Sequence, residues 1–308
     1  MSKYKNIIIK ENVKLYKFLE FNYPNFNNIL FLKSIRNKDI IVNNSKVTTK
    51  YTLKKGDNLL LSEFIIKILN NKKEIITKKT KVTEKEIEKF KSYIIYDDEN
   101  IFAINKPNEL AVQGGNKIKK CVADYLKKEE RLVHRLDKDT SGVLVIAKNR
   151  ENAEILTEYF KNKDDNLEKI YLAVVVGKLN KNEDIISMPL IKKIENKIEK
   201  VYVDKKNGKE AITHYRLLKY NEYYNLSYLE IKILTGRTHQ IRVHLKEIGR
   251  PILGDGKYGG NMAYNKDFNS KMHLHSYILN IKNFHNKNIN IKAGLPSFFR
   301  DTLNKINR

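Results

Sequence analysis

A single cysteine, Cys121, stands in 308 residues, so neither a disulfide framework nor a Cys-based zinc site can form within the chain. A reducing cytosol fits that usage. Long apolar runs are also missing: none approaches the ~20 residues that span a bilayer. The first residues, "MSKYKNIIIKENVKLYKF", are basic but carry only a three-residue apolar stretch, too short for a signal peptide. A cytoplasmic protein with no membrane attachment is expected. "AVQGGN" is glycine-rich, yet no Lys-Ser/Thr dipeptide follows correctly spaced glycines, which removes a phosphate loop and with it a nucleotide cofactor. No Gly-x-Ser-x-Gly elbow and no HExxH motif occurs, which argues against a serine hydrolase and a zinc hydrolase. His239 and His244, and His273 and His275, are the histidine pairs from which a metal site could be imagined; without cysteines none is expected.

Acidic residues are in deficit as well. Lys and Arg number 60 against 36 Asp and Glu, a formal charge of +24. A polyanion is the natural partner, because each Lys or Arg set on a phosphate releases condensed counterions. The wealth of Lys, Asn and Ile follows the bias of AT-rich coding sequences, so part of that charge is compositional drift. Hydrophobic residues make up 41%, enough for an ordinary core.

Three regions are legible. Residues 1–65 read as a small mixed domain holding 12 Lys and Arg against 5 Asp and Glu. "VKLYKFLE" places Leu15, Phe18 and Leu19 at helical spacing, and "NNILFLKSIRNKD" continues as a second helix with Lys33, Arg36 and Lys38 near its end. "IIVNNSKVTTKYTLKKGDNLLL" then alternates, with Asn43-Asn44 and Gly56-Asp57 as turns. Residues 66–92 are rich in Lys and Glu and read as a basic linker with a short helix near its end. A larger domain fills 93–308. It opens on a hairpin, "YIIYDDENIFAINKP", whose Asp97 and Asp98 are turn formers rather than an acid-base pair. "GVLVIAKN" is a buried-strand pattern, "ENAEILTEYFKN" a helix, and "KIYLAVVVGK" a strand apolar on both faces and so central to a sheet.

The stretch "HRLDKDTSG", residues 134–142, brings Asp137 among His134, Arg135 and Lys138. A surface turn with compensating charges explains this as well as a catalytic acid does. In "TGRTHQIRVHLKEIG", Ile241, Leu245 and Ile248 recur at helical spacing and Gly249 suits a C-cap. His239 and Arg242 fall partly off that stripe. A buried arginine needs a carboxylate or phosphate, and Asp137 is the natural carboxylate; the pair would keep the acid ionised where water is excluded. Spacing alone favours a surface arginine on an amphipathic helix.

Taken in order, "INKPNELAVQGG", "HRLDKDTSGVLVIAKN", "KIYLAVVVG", "GKEAITHY", "LTGRTHQIRVHLKEIGRPILGDGKYGG" and "HLHS" resemble the RluA-type family of RNA pseudouridine synthases, across residues 94–280. The spacer before "LVHRLD" resembles the RluC subgroup, which acts on large-subunit ribosomal RNA. The order helix, helix, "SIRNKDIIVNNSKV", "YTLKKGDNL" resembles the small RNA-binding domain of small-subunit ribosomal protein four, with "KLYKFL" replacing the usual arginine and aspartate at its start. These resemblances imply an α+β fold: a mixed, largely antiparallel sheet with flanking helices, preceded by a small N-terminal α/β RNA-binding domain. They imply Asp137 as the catalytic acid, Tyr171 as the aromatic that stacks on the target base and assists proton removal from carbon five, and Arg242 as the partner of Asp137. They imply RNA contacts by Arg135, which fills the gap left by the flipped nucleotide, and by His134, Gln240, Lys33, Arg36 and Lys38. No cofactor and no metal is expected, since the reaction is an isomerisation, and a monomer is expected. Glu109 stands where the family carries glycine, leaving the conformation of that turn open. A non-catalytic ribosome-assembly factor, a transfer-RNA pseudouridine synthase and a uracil-releasing hydrolase are the alternatives.

Overall fold

The computed structural model describes residues 4–23, 26, 28–70, 82–114, 118–161, 166–195 and 198–308. It divides into two compact units, Met1–Lys81 and Val82–Arg308.

In the small unit, β1 (Tyr4–Ile8), β2 (Val13–Lys14), α1 (Leu15–Asn22), α2 (Asn28–Asn37), β3 (Ile40–Val42), β4 (Ser45–Lys46), β5 (Thr52–Leu53), β6 (Asn58–Ser62) and α3 (Glu63–Asn70) follow in order. Leu15 and Leu19, four apart on α1, pack with Phe31 and Ile35 of α2 on a sheet of order β1-β6-β3-β4. Asn43 and Asn44 both take positive φ, 48° and 59°, the backbone a tight two-residue hairpin requires between β3 and β4. Residues 66–70 of α3 were expected to be linker. Leu69 is instead buried in the same core beside Ile65, so the small unit runs past residue 65. The lysines around that segment mask an amphipathic stripe only two residues long. Residues 71–81 of the expected linker lie outside the described residues.

The large unit opens on α4 (Glu84–Lys91), the short helix expected near the linker's end. Thr83 and Glu86 cap each other's backbone N–H there, and Phe90 stacks on Tyr125 at 4.6 Å. Then come β7 (Ile94–Asp97), β8 (Ile101–Lys106), β9 (Arg131–Leu132), β10 (Ser141–Ala147), α5 (Arg150–Lys161), β11 (Leu167–Val176), β12 (Glu183–Ser187), β13 (Leu190–Glu195), β14 (Ile198–Val203), β15 (Ile212–Asn221), β16 (Leu226–Ile233), α6 (Gln240–Glu247), β17 (Leu274–Phe284), β18 (Lys287–Lys292) and α7 (Ser297–Ile306). Ten of these strands form one sheet, β12-β15-β16-β11-β17-β10-β8-β7, with β18 also on β17 and β9 also on β10. The pair β10–β17 is parallel and the other described pairs of this sheet are antiparallel, so the sheet is mixed and largely antiparallel as expected.

Two-residue alternation sorts the central strands. Tyr171, Ala173 and Val175 of β11 share a core with Ile241 and Leu245 of α6. Leu172 and Val174 share one with Phe299 and Ile306 of α7. On β10, Leu144 and Ile146 face the first core, while Val143, Val145 and Ala147 pack with Leu156 of α5. Strands covered on both faces read as unbroken apolar runs, which is how "GVLVIA" and "YLAVVV" announce themselves. Asp98 closes the β7–β8 hairpin as a turn former, accepting the N–H groups of Asn100 and Ile101.

Candidate active site

Asp137 lies on the turn that feeds β10. Val133 and Leu136, both buried, anchor the chain just before Asp137, and the Thr140 N–H donates to the Asp137 carbonyl at 3.2 Å. The next residues explain the "TSG" that follows. The Ser141 hydroxyl meets Nδ1 of His275 at 2.8 Å. Gly142 has φ +109°, and a Cβ there would stand 2.0 Å from the Ser276 carbonyl oxygen. Only glycine lets β10 approach β17 so closely. Lys106, at the end of β8, is fully buried beneath the loop. Its Nζ donates to the carbonyls of Pro107, Leu110 and Lys138 at 2.8–3.0 Å, one acceptor for each ammonium hydrogen. Burial pulls its pKa down to about 7, against the opposing charges of Asp139 and Asp137.

Helix α6 supplies the partner. Arg242, 5% exposed, donates from Nη1 to Asp137 Oδ2 at 3.1 Å. Its other edge grips Asp255, Nε to Oδ2 at 2.8 Å and Nη2 to Oδ1 at 2.7 Å. The bidentate fork leaves one N–H pair for Asp137, so Asp255 aims the guanidinium. Burial disfavours the charge on Arg242, but Asp255 and Asp137 outweigh it and hold its pKa above the ordinary value. The ring of Tyr258 lies under the guanidinium, 5.1 Å away.

Tyr171 reaches the same cleft from β11. The β11–β17 register slips between Ile170 and Tyr171, a bulge of the kind that re-aims a side chain. Arg135, Asp137, Tyr171, Arg237, His239 and Arg242 together line one cavity. Asp137, Tyr171 and Arg242, drawn from a loop, a strand and a helix, therefore converge, and exposed Arg135 stands at the rim.

Two expected RNA contacts need correction. His134 turns away from the cleft: its Nε2 accepts the Val145 N–H at 2.9 Å and its ring stacks on Phe160 at 4.1 Å. Gln240 borders the cleft but is 3% exposed with its amide committed. Oε1 accepts from Thr235 Oγ1 and the Arg237 N–H, and Nε2 donates to Ile212 O and Thr213 Oγ1. Both residues hold the fold, because a polar group buried without partners is costly and the nearby backbone supplied the partners first. Lys33 and Arg36 are exposed three apart on α2, and Lys38 follows the helix with φ 63°.

Sequence reasoning missed Asp255, Tyr258, Arg237 and the buried state of Lys106. Asp255 sits in "LGDGKY", where two flanking glycines read as an ordinary turn. Nothing local marks it as the clamp of an arginine 13 residues earlier. Of the imagined histidine pairs, His244 meets Thr213 Oγ1 and the Met188 carbonyl and His273 meets Thr302 Oγ1 in the core, while His239 lines the cavity.

The family model described as RNA pseudouridylate synthase matches residues 100–247, from β8 to the end of α6. Ribosomal large subunit pseudouridine synthase C of Rickettsia bellii is 40% identical over 296 residues, covering 93% of this chain and 95% of its own. The protein of the same name from Buchnera aphidicola subsp. Baizongia pistaciae is 34% identical over 95% of this chain and 91% of its own. Among solved structures, human RNA Pseudouridylate Synthase Domain Containing 4 is similar with a TM-score of 0.59 at 25% identity, over 72% of this chain and 95% of its own.

The chain belongs to the RNA pseudouridylate synthase family. It is an enzyme that isomerises uridine to pseudouridine in RNA.

Proposed function

We propose that the substrate is large-subunit ribosomal RNA and that Asp137 acts on the target uridine, with Arg242 holding the acid and Tyr171 stacking on the base. The observation that carries this reading is the 3.1 Å contact of Arg242 with Asp137, braced by Asp255, in the cavity that Tyr171 also lines. A uridine in folded RNA is out of reach while stacked, and swinging it out costs a few kcal/mol. Stacking on an aromatic recovers roughly 1–3 kcal/mol of that. Arg135 at the rim is suited to the gap the base leaves. Once the bond between N1 and the sugar is broken, the base turns and rejoins through carbon five, which gives up a proton while N1 gains one. No atom or electron is gained overall, so the balance calls for neither a redox nor a group-transfer cofactor.

The ribosomal substrate rests on the curated relatives named for the large subunit, which match this chain over nearly its whole length. In the same reading, Lys33, Arg36 and Lys38 of the small unit meet phosphate, and the enzyme works as a cytoplasmic monomer whose charge of +24 draws it to RNA.

The test is to incubate the protein with ribosomal and transfer RNA from cells lacking it and map pseudouridine. New sites in large-subunit RNA are expected with the wild type. Asp137→Asn is expected to bind RNA within about threefold of wild type while forming none, since removing a group that acts only in the transition state spares binding. New sites confined to transfer RNA would overturn the substrate, and full turnover by Asp137→Asn would overturn the role of the acid.

A further inference from the structure

Asp137 has a second neighbour, on the side away from Arg242. His239 Nε2 stands 3.7 Å from Asp137 Oδ1, while Arg242 holds Oδ2. The other ring nitrogen, Nδ1, is 2.6 Å from the hydroxyl of Tyr258. That hydroxyl also accepts the Val201 N–H, from β14, at 3.2 Å.

These contacts point to one placement of the protons. An oxygen that accepts from Val201 has its own hydrogen to give, and Nδ1 is the acceptor beside it. The reverse arrangement, Nδ1–H donating to the phenol, would leave the hydroxyl hydrogen with neither contact to serve. Burial holds Tyr258 protonated, its pKa pushed up to about 12. Burial likewise keeps the imidazole neutral, its pKa drawn down to about 4 although Asp137 pulls the other way. On that placement the neutral ring carries its hydrogen on Nε2, facing the carboxylate.

We propose that His239 is a positioning residue for the reaction: locked by Tyr258 as the Nε2–H tautomer, it donates to the free oxygen of Asp137 and fixes the rotation of the carboxylate. This rests on the reading of Asp137 as the group that acts on uridine. The 3.7 Å separation is longer than a hydrogen bond, and the proposal requires it to shorten once the base is bound. The loop before β17 thus grips the acid twice over. Asp255 aims Arg242 at one oxygen, and Tyr258, three residues on, aims His239 at the other.

The backbone makes the proposal separable from a mere structural role. His239 has φ 53°, the left-handed region, at the start of α6. Asparagine accepts that conformation more readily than glutamine. If the residue served only the backbone, His239→Asn would be the better tolerated change. If it positions Asp137, His239→Gln is better, because the glutamine amide nitrogen reaches the place of Nε2 and the asparagine amide does not.

The experiment has two readouts. In the free full-length protein, ¹⁵N NMR at pH 7 should show His239, assigned by its loss in His239→Gln, as the Nε2–H tautomer, and Tyr258→Phe should bring in the other tautomer. An Nδ1–H or doubly protonated ring in the wild type would overturn the proposal. In single-turnover isomerisation on unmodified large-subunit ribosomal RNA, His239→Asn should lose at least about tenfold in rate and His239→Gln about threefold or less, with RNA affinity held in both. Asparagine equal to or faster than glutamine would overturn it. Asp137→Asn runs alongside: an active Asp137→Asn removes the reading of the acid, whereas an inactive one beside a fully active His239→Asn removes only the role given to His239.

Discussion

Tyr171 keeps its proton at neutral pH. Burial pushes the phenol up to about 12, a contact with Ser276 opposing and the charge of Asp137 adding. The site thus offers a neutral ring and a hydroxyl. In the proposed mechanism the ring can stack as it stands, while proton removal from carbon five needs the local charge to change. Tyr171→Phe separates the two. RNA affinity is expected to hold within about twofold, since the ring remains, while tritium release from carbon-five-labelled uridine falls by about 10²-fold or more. Unchanged release would leave Tyr171 with stacking alone. Glu109 shows what a residue can conceal. It takes φ 67°, a conformation costing a side chain about 1–2 kcal/mol, at the position where glycine was expected. The departure was visible in the sequence; that the turn keeps its left-handed backbone regardless was not.

At the scale of elements, the site depends on one seam. Strands β10 and β17 run parallel, with Ser141 opposite His275 and Gly142 opposite Ser276. That seam sets the Asp137 loop beside the strand whose neighbour bears Tyr171. Gly142→Ala drives a Cβ into the Ser276 carbonyl, so backbone must move, and a loss of about 3 kcal/mol or more is expected in urea unfolding of the full chain. Gly249→Ala is the control: φ is +73° there but nothing lies within 4 Å of an added Cβ, so about 1 kcal/mol is expected. Equal losses would show that backbone strain rather than the seam governs. The apolar run of β10 was plain in the sequence, as were the stripe and the C-cap of α6. The strand partners were not, because "GVLVIA" states that both faces are covered and is silent on what covers them. The second half of α3 failed for a related reason: Leu69 counts for little until the sheet it presses on exists.

At the scale of the whole molecule, acid should unfold the chain through its buried imidazoles. His273 and His275 are fully buried, and burial draws each pKa down to about 4, against about 6.5 in an unfolded chain. Between those values the unfolded state holds protons that the folded state does not. Stability is therefore complete above about pH 6.5 and falls as pH drops toward 4, by about 2–3 kcal/mol per pH unit near pH 5 for the pair. Urea midpoints from pH 7.5 to 4.5 check this, and a flat profile would refute it. The net charge of +24 belongs to this scale too. It speaks of a polyanionic partner and of association, and of neither fold nor site.

What the sequence determined by itself is what depends on near neighbours: two apolar strands, the amphipathic helix that carries Arg242, the asparagine turn, the basic balance, and an ordered motif set that pointed to Asp137. The tertiary structure alone decided which distant groups meet. Asp137 and Arg242 are 105 residues apart, and Asp255 is a carboxylate between glycines until the fold presses it on the arginine. It alone showed that His134 and Gln240, polar and within the motifs, are spent on backbone and core. The reason is physical. Periodicity and capping record how a side chain stands to its own element, whereas a polar group's partner is set by the sheet order and close packing that bring remote segments within 3 Å.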